Sequence, residues 1–223
     1  MKTLLVLYFG FCFIQMQFNA EENSYFYFGN TNLVGVGKIE DAKKIGPWKI
    51  FSRIAELDAP QITLGPAEAT EIEEEFDLST PLYIINFKDN LPDGMMEEFY
   101  PDGKIKKLVN FSEGKLNGDL FEFGTTGEIL LSGRYFEDQN VGEWNSYYLN
   151  GVKKSENYYE NDLLEGVTRN FYFNGVLAEV VPLKSGKLEG LYQSFFQSGA
   201  IQKRVLFKDG VEEGEFLLFF EDG

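Results

Sequence analysis

The chain of 223 residues contains no histidine and one cysteine, Cys12, so the commonest zinc ligands and the commonest proton-shuttling base are scarcely represented. Cys12 also lies in an N-terminal segment expected to be removed. Disulfides, thiol nucleophiles, histidine-based triads and the usual zinc sites are therefore excluded from the mature monomer. Basic residues are scarce too: 20 Lys and Arg stand against 36 Asp and Glu, a formal net charge of −16 at pH 7. Such a balance repels phosphate backbones and anionic headgroups, so neither nucleic-acid binding nor docking on an anionic membrane is expected. No cofactor is expected either, and a protein partner, if there is one, should be basic.

What the chain does have is a repeat. Gly94, Gly118, Gly142, Gly166, Gly190 and Gly214 are spaced 24 residues apart, and Gly103, Gly127, Gly151, Gly175, Gly199 and Gly223 form a second ladder nine residues on. A fixed period of this length marks a repeat array. Each unit reads as a β-hairpin: an aromatic-rich run after the first glycine, a turn at the second, and a returning run. Asn150-Gly151 and Asn174-Gly175 predict type I′ turns, because such a turn needs positive φ at both central residues. On the returning strands Ile105, Val109 and Phe111, and again Ile201, Val205 and Phe207, share one parity, the period of a half-buried strand. On the outgoing strands adjacent rings, such as Tyr147 with Tyr148 and Phe195 with Phe196, point to opposite faces. The expected fold is all-β, an array of 24-residue antiparallel hairpins forming an elongated, twisted or rolled sheet. Pro182 falls inside a returning strand and predicts a bulge there.

Tyr-Leu-Asn-Gly at 148–151, Tyr-Phe-Asn-Gly at 172–175, Gly-Glu-Trp at 142–144 and Gly-Lys-Leu-Asn-Gly at 114–118 resemble the bacterial MORN-repeat variant, found in YwqK-type antitoxin-like repeat proteins. The resemblance spans 94–223 and implies hairpins joined into a sheet. It also implies an antitoxin or immunity role, which would require a basic toxin to suit this charge.

Residues 1–20 pair Lys2 with an apolar run from Leu4 to Ile14 and end at Ala20 before an acidic start, the plan of a cleavable signal peptide. The alternative is an uncleaved anchor, and Phe18 leaves the cleavage site open. Phe11 before Cys12 argues against a lipoprotein. Residues 21–93 read as degenerate repeat units. In them Gly46, Trp48 and Phe51 occupy the places of Gly142, Trp144 and Tyr147, and 207–214 mirrors 87–94. The pattern breaks at about 55–80, where Glu71, Glu73, Glu74 and Glu75 are either a solvated acidic loop or a site for a cation or basic partner.

Two candidate interaction surfaces emerge. One is this acidic insertion. The other is the set Trp144, Tyr148, Tyr172, Tyr192 and Phe196, on one parity of successive outgoing strands, either core or an exposed platform for a protein or glycan. No catalytic or metal-binding residue is singled out, and the chain is not expected to be an enzyme. The expected function is an exported, periplasmic or secreted, non-catalytic scaffold for protein–protein interaction in the cell envelope. The alternatives are an envelope glycan binder or carboxylate-based glycan enzyme, and the antitoxin role implied by the resemblance.

Overall fold

A computed structural model describes residues 24–27, 33–52 and 78–222. The expected signal peptide and the acidic residues Glu71, Glu73, Glu74 and Glu75 lie outside the described residues. The chain divides into two units, 1–103 and 104–223. All regular structure among the described residues is β-strand, and every strand pairing is antiparallel.

The first unit contains β1 (Ser24–Tyr27), β2 (Leu33–Glu40), β3 (Lys43–Ser52), β4 (Tyr83–Lys88) and β5 (Leu91–Phe99), each paired with the next in chain order. Its core is Trp48, Ile50, Ile85 and Phe87, with Leu33, Ile39, Tyr83 and Met96 packed around them. Trp48 meets Phe87 edge to face at 6.2 Å. Gly37 lies beneath the Trp48 indole, and a Cβ there would overlap the ring.

The second unit is itself a meander, of β6 (Ile105–Ser112), β7 (Lys115–Phe123), β8 (Ile129–Phe136), β9 (Gln139–Tyr147), β10 (Lys153–Glu160), β11 (Leu163–Leu164), β12 (Gly166–Phe171), β13 (Leu177–Lys184), β14 (Lys187–Leu188), β15 (Gly190–Phe195), β16 (Ile201–Lys208) and β17 (Val211–Leu218). Its buried apolar residues are Val109, Leu120, Trp144 and Val205. Gly133 lies under Trp144 as Gly37 lies under Trp48, and each tryptophan follows a positive-φ glycine, Gly46 or Gly142, by two residues.

The first glycine of each period sits at an interruption of the ladder. Between the pairs Val109↔Leu120 and Phe111↔Leu116, the single residue Asn110 faces Asn117, Gly118 and Asp119. Gly118 takes φ +117° there, and the Asn110 amide donates to the Asp119 carbonyl at 3.2 Å, restoring a bond that the backbone lacks. Asn86 does the same for Met95 in the first unit, at 2.8 Å. Pro182 occupies the equivalent interruption, where the ladder skips from Val180↔Gln193 to Leu183↔Leu188. A residue without an N–H fits there because the position need only accept, and the Pro182 carbonyl takes the Glu189 N–H at 3.0 Å.

The turn types are the reverse of the sequence expectation. At Tyr148–Gly151 only Gly151 has positive φ, +79°; its N–H donates to the Tyr148 carbonyl, and the Tyr148 N–H donates to Val152. Three residues thus separate the paired ends, which makes a type I turn closed by a glycine bulge rather than a two-residue I′ turn. Tyr172–Gly175 and Phe196–Gly199 repeat this bonding. Paired positive-φ residues occur instead at the opposite connections, at Asp89-Asn90, Glu137-Asp138 and Asn161-Asp162.

Candidate functional site

A residue row crosses the second unit on the face that carries Val109 and Leu120. It runs Lys107, Glu122, Leu131, Ser146, Ser155, Asn170, Glu179, Ser194, Lys203 and Leu218, each directly opposite the next. Because side chains alternate along each strand, this mostly polar row runs beside the apolar one, two residues away. Its members hold one another: Lys107 pairs with Glu122 at 2.9 Å, the Ser146 and Ser155 hydroxyls meet at 2.7 Å, and the Asn170 amide donates to Glu179 Oε2 at 2.8 Å.

Where the row reaches β12 to β17 it forms the floor of a groove of about 480 Å³, lined by Tyr172, Glu179, Tyr192, Ser194, Gln202 and Lys203 among others. The Tyr192 hydroxyl donates to Glu179 Oε1 at 2.8 Å, and the Tyr172 hydroxyl donates to the Phe195 carbonyl at 2.7 Å, so both rings are held in fixed orientation. Burial, followed by the bond to Glu179, pushes the Tyr192 hydroxyl up to about 12. Lys203 Nζ lies over the Tyr192 ring at 5.5 Å and the Phe216 ring at 4.7 Å. Ser194, only 8% exposed, donates to the Gln202 side chain.

The five aromatic residues singled out from sequence therefore separate. Trp144 is 8% exposed, stacked edge to face between Tyr135 and Tyr159 at 5.2 and 6.0 Å, and belongs to the core rather than to an exposed platform. It is buried because Gly133 leaves room for the indole against the opposite strand. Tyr148 is half-buried, its hydroxyl donating to the Phe171 carbonyl and its ring meeting Phe173 at 5.3 Å. Phe196 is half-buried at its turn. Tyr172 and Tyr192 alone of the five line the groove.

Sequence reasoning missed Glu179, Gln202 and Lys203, which come from returning strands. Hairpin pairing places the returning strands beside the ring-bearing ones, but counting from the turn would put Ala178 opposite Asn170 and Gln202 opposite Ser194; a one-residue bulge in each hairpin moves Glu179 and Lys203 into those places. Among the described residues, no cluster of acidic, cysteine or histidine side chains is placed to hold a metal ion.

The family model of the MORN repeat variant matches residues 92–113, 140–161 and 188–209. These segments recur every 48 residues, two structural periods, and 140–161 runs from β9 through its turn to the end of β10. No curated protein matches the chain.

Proposed function

Since the chain carries MORN-variant repeats, we propose that it is an exported, non-catalytic scaffold whose repeats bind another protein. Repeats of this type are generally protein-interaction modules and generally lack enzymatic activity. The observation that carries the reading is the apolar surface left in water at successive turns. Leu149 and Phe173 hold the same place in adjacent turns of the second unit and are 72% and 60% exposed. Side by side at the ends of adjacent hairpins, these two side chains give a partner a small apolar contact.

Charge selects the kind of partner. Loss of residues 1–20 removes Lys2 and leaves 19 basic against 36 acidic residues. A basic protein is the complementary one, attracted at long range and positioned by the apolar turns. Export is supported by Lys2, the apolar run and Ala20, and mass spectrometry should find the mature chain starting near Glu21; an intact Met1 in a soluble cytoplasmic pool would reject it.

The binding test is capture from envelope extract, comparing the protein with a Leu149→Ser/Phe173→Ser double variant. The salt concentration is raised from about 0.05 to 0.5 M, over which the screening length falls severalfold. A basic protein should be captured, lost progressively with salt and captured poorly by the variant. Capture indifferent to both treatments would overturn the reading.

A further inference from the structure

The groove over β12–β17 contains charges that the fold does not require. The places equivalent to Glu179 in the other repeats hold Lys107, Leu131, Ser155 and Lys203, and those equivalent to Tyr192 hold Leu120, Trp144, Thr168 and Phe216. The strands pair the same way whichever residue is present, so the Glu179–Tyr192 pair is not a condition of the repeat.

Its chemistry narrows what could enter. Glu179 receives one bond from Tyr192 and one from Asn170, so its two oxygens, with about four acceptor sites between them, keep capacity for further donors. Lys203 brings donors from the opposite side, and Gln202 adds an amide. Glu179 and Lys203 cancel in charge, so an anion would meet the carboxylate and a cation the ammonium. A peptide adding itself as a strand is excluded from this face, because strand addition uses backbone groups at a sheet edge. The Tyr172 and Tyr192 rings offer apolar faces whose orientation is already set, which lowers the entropy lost on binding.

We propose that this groove binds a neutral, polyhydroxylated ligand, a short stretch of uncharged glycan, packed against the Tyr172 and Tyr192 rings with hydroxyl groups bonded to Glu179, Gln202 and Lys203. Tyr192 remains a neutral donor across the physiological range, so it holds the carboxylate in place without competing with it in charge. The site does not depend on the protein-binding turns at Leu149 and Phe173.

Calorimetry of the protein with short, soluble, uncharged glucose- and N-acetylglucosamine-based oligosaccharides tests it. At least one series should bind, with an affinity unchanged between about 0.05 and 0.5 M salt. Glu179→Gln and Lys203→Met should each weaken it by about tenfold or more, a shift of one logarithmic unit in Kd. Thermal melts establish that each variant is folded; should Glu179→Gln unfold, the half-exposed Lys203 carries the comparison. No binding of any series at millimolar sugar, or wild-type binding by Lys203→Met, overturns the proposal. Binding that collapses with salt overturns it in favour of a charged ligand. Envelope-protein capture run alongside keeps the two readings apart: sugar binding can fail while capture persists, and the reverse.

Discussion

Lys44 shows what a single side chain can cost this fold. It is 9% exposed, with Nζ over the Trp48 and Phe87 rings at 5.8 and 5.2 Å, and burial pulls its amine down to about 8 from 10.5. Between those two values the unfolded chain holds a proton that the folded chain has released, so stability rises with pH across that window. The gain is complete above the unfolded value and is lost as pH falls through about 8. Denaturant melts at about pH 8 and about pH 10, near the two ends of this window, should show wild-type stability rising relative to Lys44→Met. Parallel pH dependence in the two proteins would mean that Lys44 keeps its ordinary value. Gly133 makes the opposite demand, since it must remain small under Trp144. Gly133→Ala should cost about 1–3 kcal/mol by overpacking, read as a lower denaturation midpoint; an unchanged midpoint would mean that the indole moves aside freely.

At the level of the hairpin, successive turns are tied to one another by a bond that comes in two versions. In one, the second turn residue is Asp or Asn and its side chain accepts a backbone N–H from the preceding hairpin: Asp138 from Leu116, Asp162 from Asn140 and Asn90 from Lys44, at 2.7–2.8 Å. In the other that residue is glycine, and a glutamate of the preceding repeat accepts the N–H of the first turn residue instead, Glu165 from Ser185 at 2.6 Å and Glu189 from Asp209 at 2.7 Å. Asp162→Ala should therefore cost about 1 kcal/mol from the lost bond, with strain added at φ +66°. Asp162→Asn keeps both acceptor and conformation and should be near neutral in the same melts; equal losses would deny the bond a role. Gly151→Val should cost more than about 1 kcal/mol, because φ is +79° whichever turn type holds it. The hairpins themselves were legible in the two glycine ladders, since a positive-φ residue at a fixed interval leaves few other candidates. Turn type was not legible: Asn-Gly is a I′ signal only when two residues link the paired ends, and here three do, because Tyr148 pairs with Val152. Conversely Glu137-Asp138 and Asn161-Asp162 carry weak dipeptide signals, yet their side-chain bond to the neighbouring hairpin supports them in the left-handed region. The groove was half legible, because parity placed Tyr172 and Tyr192 on one face but said nothing of which returning-strand residues would meet them.

For the molecule as a whole, the period should be a unit of stability, because in a repeat array each unit contacts mainly its neighbours. Deleting residues 166–189 removes one period and joins Glu165 to Gly190, the same Glu-Gly step that Glu189 made before. Glu165 then stands where Glu189 stood and can accept the Asp209 N–H. Ser155, opposite Asn170 in the intact chain, would face Ser194, and Asn157 would face Tyr192 in place of Thr168, losing the 3.1 Å bond from the Thr168 hydroxyl. The Arg169–Glu156 ion pair and the Tyr148–Phe173 ring contact go as well, with Gln193 and Gln197 in those places, but the strand register is inherited and the shortened protein should keep its β-sheet circular dichroism. Its denaturant dependence should be shallower, in proportion to the surface no longer buried. Deleting only 178–189, half a period, leaves β12 without its returning strand and should abolish cooperative unfolding. If the two deletions are equally damaging, the 24-residue step is a sequence pattern without structural independence. The full-period deletion removes Phe173 together with Glu179, so it should eliminate sugar binding and weaken protein capture as well, whereas Lys203→Met should lower sugar binding alone and thereby separate the two surfaces.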